Sequence, residues 1–388
     1  MMLSSPPHAR IFPRLFSLVA LASALLFAAT VARAQQQQPP TSDEDVYKVE
    51  SNLVQLNVGV ADRAGRPVTT LSQNDFVVFE DGVRQTVLNF EPTHAPFSLV
   101  LMLDLSGSTL SFRTQQKMAA LRFIDALGAE DRVAVLGFWG QKKFEGKVLK
   151  TTDRVETLAD FGGDRRKVFN AINLNTPNGG GDTNLYAALR SALSMLSREG
   201  KRRKAIVVLT DGIDTSLSRE DRAATAAAKT GDEAVAAVRP ESNATLNAVL
   251  NAADRLGVTI YPMALPSGDL KRITEHNRQL VAGYPAGEAP EELRKSAEPT
   301  PQQVAIYTAA RARLDLLANR TGGRLYAINR LEDLGRQYAQ VAAEMRTLYS
   351  IAYQSANQTA RDGRWRAVSV EVSRPDLVAR TRPGYYAR

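Results

Sequence analysis

Residues 99–112, "LVLMLDLSGSTLSF", carry the strongest indication of the fold. The first five residues are apolar without interruption, which is typical of a strand buried on both faces of a parallel sheet. The run ends at Asp104, and two hydroxyls follow at alternate positions, Ser106 and Ser108. A carboxylate and two hydroxyls at the end of a buried strand predict a polar site on the edge of that sheet.

The chain around this stretch alternates apolar strands with helical segments over residues 97–348, and this predicts a doubly wound, mostly parallel, six-stranded α/β sheet of Rossmann-like type. The strands are predicted at 98–104, 132–139, 143–149, 204–210, 257–264 and 323–328. The helices are predicted at 112–127, 153–172, 184–198, 243–256, 303–321 and 331–348. The short link "GQKK" predicts that the second and third strands are antiparallel, with the third on an edge.

The two flanks of this region have a different pattern. Residues 46–96 and 349–388 show apolar residues alternating with polar ones, which is typical of half-buried strands. Neither flank has enough strands to bury a face alone, so we expect the two segments to form one small β module.

Two polar segments interrupt the regular alternation of strands and helices, at 215–242 and 266–302. Each directly follows a predicted strand and is longer than a connecting loop requires. We treat both as insertions at the carboxyl edge of the sheet.

The first 34 residues predict a secretory signal. Arg10 and Arg14 precede an apolar stretch. Ala32 and Ala34 follow it at the positions where a signal peptidase requires small residues. The alternative is a retained membrane anchor, for which the apolar run is marginal in length. Residues 35–45, rich in Gln and Pro, read as a disordered leader. The sequence therefore predicts a secreted, periplasmic or extracellular protein.

Composition excludes several classes of site. The chain has no cysteine, so disulfide frameworks, thiolate metal sites and cysteine nucleophiles are absent. The net charge is +8, three of the basic residues lie in the signal, and the rest are scattered. This pattern is unlike a nucleic-acid interface, and no phosphate-binding glycine motif follows the first strand.

The polar residues at the strand ends predict a cation site. Ligands of open parallel sheets bind outside the carboxyl ends of the strands, where Asp104 and Asp211 both lie. The glycine-rich loop in "NTPNGGGDTNLYAAL" brings the Thr183 hydroxyl to the same edge. Two carboxylates and three hydroxyls suit Mg²⁺, with Mn²⁺ or Ca²⁺ as alternatives. Because few ligands are anionic, the ion stays able to accept a carboxylate oxygen from another molecule.

In combination these residues resemble the metal-ion-dependent adhesion site of von Willebrand factor type A domains. The family pattern is Asp-x-Ser-x-Ser, a separate Thr and a later Asp, and the resemblance covers about residues 97–348. Both flanks resemble a bacterial secreted group of these proteins. The resemblance implies cation-dependent adhesion or envelope complex assembly, with a protein ligand that presents an acidic residue, and it implies no catalysis. The two insertions depart from the family, and we expect them to cap the ligand surface.

Three other interpretations compete with this one. The motif residues could form only a helix-capping turn. The site could be vestigial in a structural scaffold. Asp104 could be the nucleophile of an Mg²⁺-dependent phosphatase resembling the haloacid dehalogenase fold, but Ser106 stands where that chemistry requires an acid.

Overall fold

The computed structural model describes residues 53–93, 95–145, 148–162, 164–174, 181–200, 202–356 and 362–387, with backbone alone at 141–145 and 148–153. The predicted signal and leader lie outside these ranges, as do residues 175–180 of the glycine-rich loop. No helix within the described ranges is long and apolar enough to cross a bilayer.

The described residues form fourteen strands and ten helices. The strands are β1 (Leu53–Asp62), β2 (Phe76–Glu80), β3 (Val83–Gln85), β4 (Val87–Glu91), β5 (Phe97–Asp104), β6 (Arg132–Glu145), β7 (Val148–Ala159), β8 (Arg203–Thr210), β9 (Val258–Ala264), β10 (Tyr326–Ala327), β11 (Leu348–Gln354), β12 (Trp365–Val372), β13 (Leu377–Arg380) and β14 (Gly384–Tyr386). The helices are α1 (Arg113–Asp125), α2 (Arg165–Asn173), α3 (Leu185–Ser197), α4 (Thr215–Ala224), α5 (Gly231–Ala237), α6 (Ala244–Leu256), α7 (Leu270–Ala282), α8 (Glu291–Ser296), α9 (Pro301–Thr321) and α10 (Leu334–Arg346).

A six-stranded sheet forms the centre of the fold, in the order β10-β9-β8-β5-β6-β7. Every neighbouring pair is parallel except β6 and β7, which are antiparallel, and β7 lies on an edge. All residues of β5, β8 and β9 are buried, as expected for strands covered on both faces. The predicted fold class is confirmed.

The β6–β7 hairpin is longer than predicted. The link "GQKK" is not the turn, because β6 continues to Glu145 and pairs with β7 in register from Gly137↔Glu156 to Glu145↔Val148. The helix predicted over 153–172 was wrong in its first half, which is the end of β7, and α2 begins only at Arg165. The β-branched residues of "VLKTTDRVETLA" favour the strand. Since β5 stops pairing at Asp104↔Phe138, the hairpin extends beyond the carboxyl edge of the sheet.

The two flanks of the chain interleave in two antiparallel sheets, in the orders β13-β1-β11-β4 and β14-β12-β2-β3. Apolar side chains of both sheets share one hydrophobic cluster, to which β1, β2 and β11 contribute most residues. At one side of it the buried carboxylate of Glu80 accepts hydrogen bonds from the hydroxyls of Tyr353, Ser355 and Tyr385. The predicted β module built from both flanks is present.

The insertions are helical. In the first, Ala234 and Val238 in and after α5 pack against Ala305 and Ala309 of α9. In the same insertion, Asp221 of α4 forms a buried ion pair with Arg313 of α9. The second insertion contains α7 and α8, which are joined by side-chain bonds from Asn277 and Arg278 to the carbonyls of residues 296 and 297.

Candidate functional site

The site lies where the order of the strands changes direction. From β5 the chain continues to β6 on one side, whereas β8 pairs with β5 on the other side. Asp104 is the last residue of β5, and Asp211 directly follows β8. This is the position at which open α/β sheets bind ligands, and the topology brings two carboxylates to it.

Asp104 is held by a dense set of hydrogen bonds. Its side chain is completely buried. Oδ1 accepts from the backbone N–H of Ser106 at 3.0 Å, and Oδ2 accepts from Thr210 Oγ1 at 2.7 Å. Its carbonyl accepts from Thr109 Oγ1 at 2.9 Å and from Gln116 Nε2 at 3.0 Å. The carboxylate is therefore fixed in orientation by β8 on one side and by the motif loop on the other.

The two motif serines lie together at the start of the 3-10 turn Gly107–Phe112. Ser106 Oγ and Ser108 Oγ are 3.1 Å apart, within hydrogen-bond distance. The carbonyl of Ser106 accepts from Thr109 Oγ1 at 2.9 Å and from Arg113 Nη2 at 3.3 Å. The structure thus places both hydroxyls together at the carboxyl end of β5, where Asp104 lies.

Thr183 reaches the same edge through backbone contacts of its loop. The N–H of Gly107 donates to the carbonyl of Gly181 at 3.3 Å, and the N–H of Gly140 donates to the carbonyl of Asp182 at 2.5 Å. The N–H of Thr183 itself donates to Thr215 Oγ1 at 3.0 Å. Three elements, namely the motif loop, β6 and the start of α4, therefore hold the loop that carries Thr183.

Asp211 is also buried, and its Oδ1 accepts from the N–H of Ile213 at 3.0 Å. Burial raises the pKa of Asp211 above its ordinary value, while the hydroxyls of Ser108 and Ser267 oppose the rise. Burial, and after it the negative charge of Asp211, raises the pKa of Asp104 to about 7, and hydrogen bonds from Ser106 and Thr210 oppose this rise. The two carboxylates are thus close enough to repel each other in a site with little water.

The neighbouring carboxylates have structural roles. Asp214 caps α4 and accepts from the N–H groups of Ser216 and Leu217 at 3.0 and 3.2 Å. Asp182 lies 3.8 Å from Arg219 Nη2 in a partly exposed ion pair.

Sequence reasoning missed several residues that shape the site. Thr210 immediately precedes Asp211, so its position at the end of β8 was a usable signal. Gln116 lies one turn into α1 and gave no local signal, because its amide reaches Asp104 only through the packing of α1 on the sheet. Arg113 bonds to Ser106 from the first turn of α1, and its pKa is lowered by burial while Asp104 opposes that change.

The side-chain oxygen atoms of the site determine which kind of ligand it can bind. No cluster of three or more His, Asp or Glu residues that could hold a metal occurs in the part of the chain that the structure describes. What the site offers is two buried carboxylates of like charge and adjacent neutral hydroxyls. A small hard cation would neutralise the repulsion and would accept all of these oxygens, so the residues fit Mg²⁺ or Mn²⁺.

Gly140 provides a test of how the Thr183 loop is held. A Cβ at this position would lie 2.5 Å from the backbone N of Asp182. Two non-bonded atoms cannot approach so closely, so any side chain at residue 140 would displace the loop. We expect Gly140→Ala to weaken Mn²⁺ binding, measured by calorimetry, by about tenfold or more, in the range found for residues that orient ligands.

The matched control is Gly162→Ala, whose Cβ would meet its nearest atom, the carbonyl of Asp160, at 3.7 Å. We expect this variant to bind like the parent chain. Equal Mn²⁺ affinities for the Gly140 variant and the parent would show that the position of the loop does not matter for binding.

Comparison with known proteins agrees with this architecture. Residues 99–214 match the family model of the von Willebrand factor type A domain. No curated protein matches the chain.

Three solved structures resemble the chain at low sequence identity. An aerotolerance-related membrane protein from Bacteroides fragilis is 14% identical, with 64% of this chain and 98% of that one covered and a TM-score of 0.37. A von Willebrand factor type A protein from Catenulispora acidiphila is 16% identical, with 76% and 51% covered and a TM-score of 0.35. The pilus adhesin SpaC from Lactobacillus rhamnosus GG is 11% identical, with 83% and 49% covered and a TM-score of 0.39.

The chain thus spans about half the length of the last two structures. The matched segment begins within β5 and ends at the cap of α4, so it contains Asp104, Thr183 and Asp211. By this match, residues 99–214 of the chain are similar to the von Willebrand factor type A domain.

Proposed function

We propose that this protein binds a protein ligand through a divalent cation, in adhesion or in the assembly of an envelope complex. The observation that supports the proposal most strongly is the pair of buried, mutually repelling carboxylates Asp104 and Asp211 beside the serine hydroxyls. Such a pair is unfavourable without a cation and is well matched to one. Type A domains are in general interaction modules, which agrees with a binding role.

Each residue has an assigned part in this proposal. The hydroxyls of Ser106, Ser108 and Thr183 would contact Mg²⁺ directly, and Asp104 and Asp211 would balance its charge. When bound, the ion supplies a Lewis-acidic position that accepts a carboxylate oxygen of the ligand. Thr210 and Gln116 hold Asp104 in place, so the site needs little rearrangement to receive the ion.

Export is part of the same proposal. The predicted signal at residues 1–34 supports a location outside the cytoplasm, where an adhesion or envelope-assembly protein would meet its ligand. The absence of cysteine means that stability there depends on packing, as in the shared core of the two antiparallel sheets.

Binding to poly-glutamate tests the proposal, since this polymer presents carboxylates without any other recognition feature. The full chain is passed over immobilised poly-glutamate in Mg²⁺ and then in EDTA, at about 0.3 M salt to screen non-specific attraction to a basic protein. We expect a component of the binding that needs Mg²⁺ and disappears in EDTA.

An Asp104→Ala, Asp211→Ala double variant is the control, and it should lack the Mg²⁺-dependent component while keeping any non-specific one. A poly-glutamine surface should give no Mg²⁺ response. Binding that is the same in Mg²⁺ and EDTA would reject the proposal and favour a scaffold with a vestigial site.

A further inference from the structure

The second insertion begins with a turn that lies directly on Asp211. We call residues 265–269 the β9 turn, and its centre is the 3-10 turn Pro266–Gly268. The N–H of Leu265 donates to the carbonyl of Thr210 at 2.9 Å, which joins the turn to the end of β8. An added Cβ on Gly268 would lie 2.3 Å from the carbonyl oxygen of Asp211, so only glycine allows this contact.

The β9 turn is also anchored on its far side. The N–H of Gly268 donates to the carbonyl of Leu265 at 3.1 Å, and the N–H of Asp269 donates to that of Pro266 at 3.0 Å. Asp269 then caps α7, because its Oδ1 accepts from the N–H of Arg272 at 3.2 Å. The turn is thus fixed between β8 and a helix rather than resting loosely on the surface.

Ser267, in the middle of this turn, has a buried hydroxyl that makes no hydrogen bond of normal geometry within the described residues. Leaving such a group unpaired costs about 1 to 3 kcal/mol, so a buried unpaired hydroxyl needs an explanation. The carboxylate of Asp211 is near enough for the Ser267 hydroxyl to lower its pKa. The hydroxyl thus lies beside the Asp211 carboxylate, in a turn whose next residue, Gly268, packs against the carbonyl oxygen of the same aspartate.

We propose that Ser267 is a further residue of the cation site, whose hydroxyl donates a hydrogen bond to the Asp211 carboxylate when the ion is bound. The inference rests on the proposed function and extends it. Ser267 is a positioning residue, since it acts on the ion through Asp211. The residue comes from the second insertion, so this segment takes part in cation binding as well as in shaping the surface around it.

Calorimetric titration of Mn²⁺ into the full chain and into two variants tests the inference. Ser267→Ala removes the hydroxyl, and we expect it to weaken Mn²⁺ binding by about tenfold, as for other residues that orient metal ligands. Ser267→Thr keeps the hydroxyl, and we expect its affinity to lie nearer that of the parent. Thermal unfolding in EDTA serves as a second measurement, in which Ser267→Ala should be at least as stable as the parent because it removes a buried hydroxyl without a well-formed hydrogen bond.

Ser242→Ala is the matched control, because Ser242 is exposed in the first insertion and its hydroxyl donates to the carbonyl of Arg239 in its own turn. It should bind Mn²⁺ like the parent. Equal affinities for Ser267→Ala and the parent would overturn the inference and leave the proposed function intact. Absence of Mn²⁺ binding by the parent would overturn both.

Discussion

Replacing Asp221 by alanine is expected to lower the free energy of unfolding by about 3 to 5 kcal/mol, because it leaves Arg313 buried without its partner. The pair is bidentate, with Oδ1–Nη2 at 2.6 Å and Oδ2–Nη1 at 2.8 Å. Both side chains are at most 5% exposed. Urea denaturation of the parent and of the variant measures the difference.

A double variant distinguishes the contribution of the ion pair to stability from the cost of leaving one buried charge unpaired. Asp221→Leu with Arg313→Met replaces both ions by apolar groups, and we expect most of the lost stability to return. A single Asp221→Ala variant that loses less than about 1 kcal/mol would show that the pair behaves like an exposed one. In that case the attachment of the first insertion to α9 would depend mainly on the packing of Ala234 and Val238 against that helix.

Asp211→Asn is expected to raise the stability of the metal-free protein while it abolishes cation binding. The substitution removes a buried charge that repels Asp104, and the amide oxygen can still accept from the N–H of Ile213. One kcal/mol corresponds to about 2 to 4 °C in melting temperature for a domain of 150–250 residues. We therefore expect the variant to melt several degrees higher than the parent in EDTA at pH 8.

The pH dependence of the metal-free protein should have a definite sign. Both carboxyls have pKa values raised above that of an unfolded Asp, about 3.9, so the folded state binds protons more tightly. Stability from this source is fully present below pH about 4 and is lost as the pH rises to about 7. The loss should be smaller in Asp211→Asn. Equal pH profiles of melting temperature for parent and variant would contradict the assigned repulsion.

The sequence predicts those parts of the fold that depend on patterns within a single segment of the chain. The apolar run of β5 and the buried runs of β8 and β9 identify a parallel sheet directly. The hairpin was predicted less well, because residues 153–159 at the end of β7 carry charges at positions that are typical of a helix. These residues form a strand because they pair with β6. The sequence of one strand alone does not show which partner it pairs with.

The candidate site likewise contains some residues that the sequence identifies and others that only the folded structure reveals. Asp104, Ser106 and Ser108 are neighbours in sequence, and the rule for strand ends brings Asp211 to them. Ser267 comes from a segment 56 residues beyond Asp211 and has no recognisable motif. Its place next to that carboxylate follows from the adjacency of β8 and β9 and from Gly268, which only the folded backbone reveals.

Calorimetric titration of Mn²⁺ into the full chain, with the Asp104→Ala, Asp211→Ala double variant measured alongside, determines whether the protein has a cation site at these carboxylates. We expect one saturable site per chain in the parent, competed by Mg²⁺, and no binding in the variant. The absence of binding to the parent, or equal binding to the variant, would contradict a cation site at the carboxyl ends of β5 and β8.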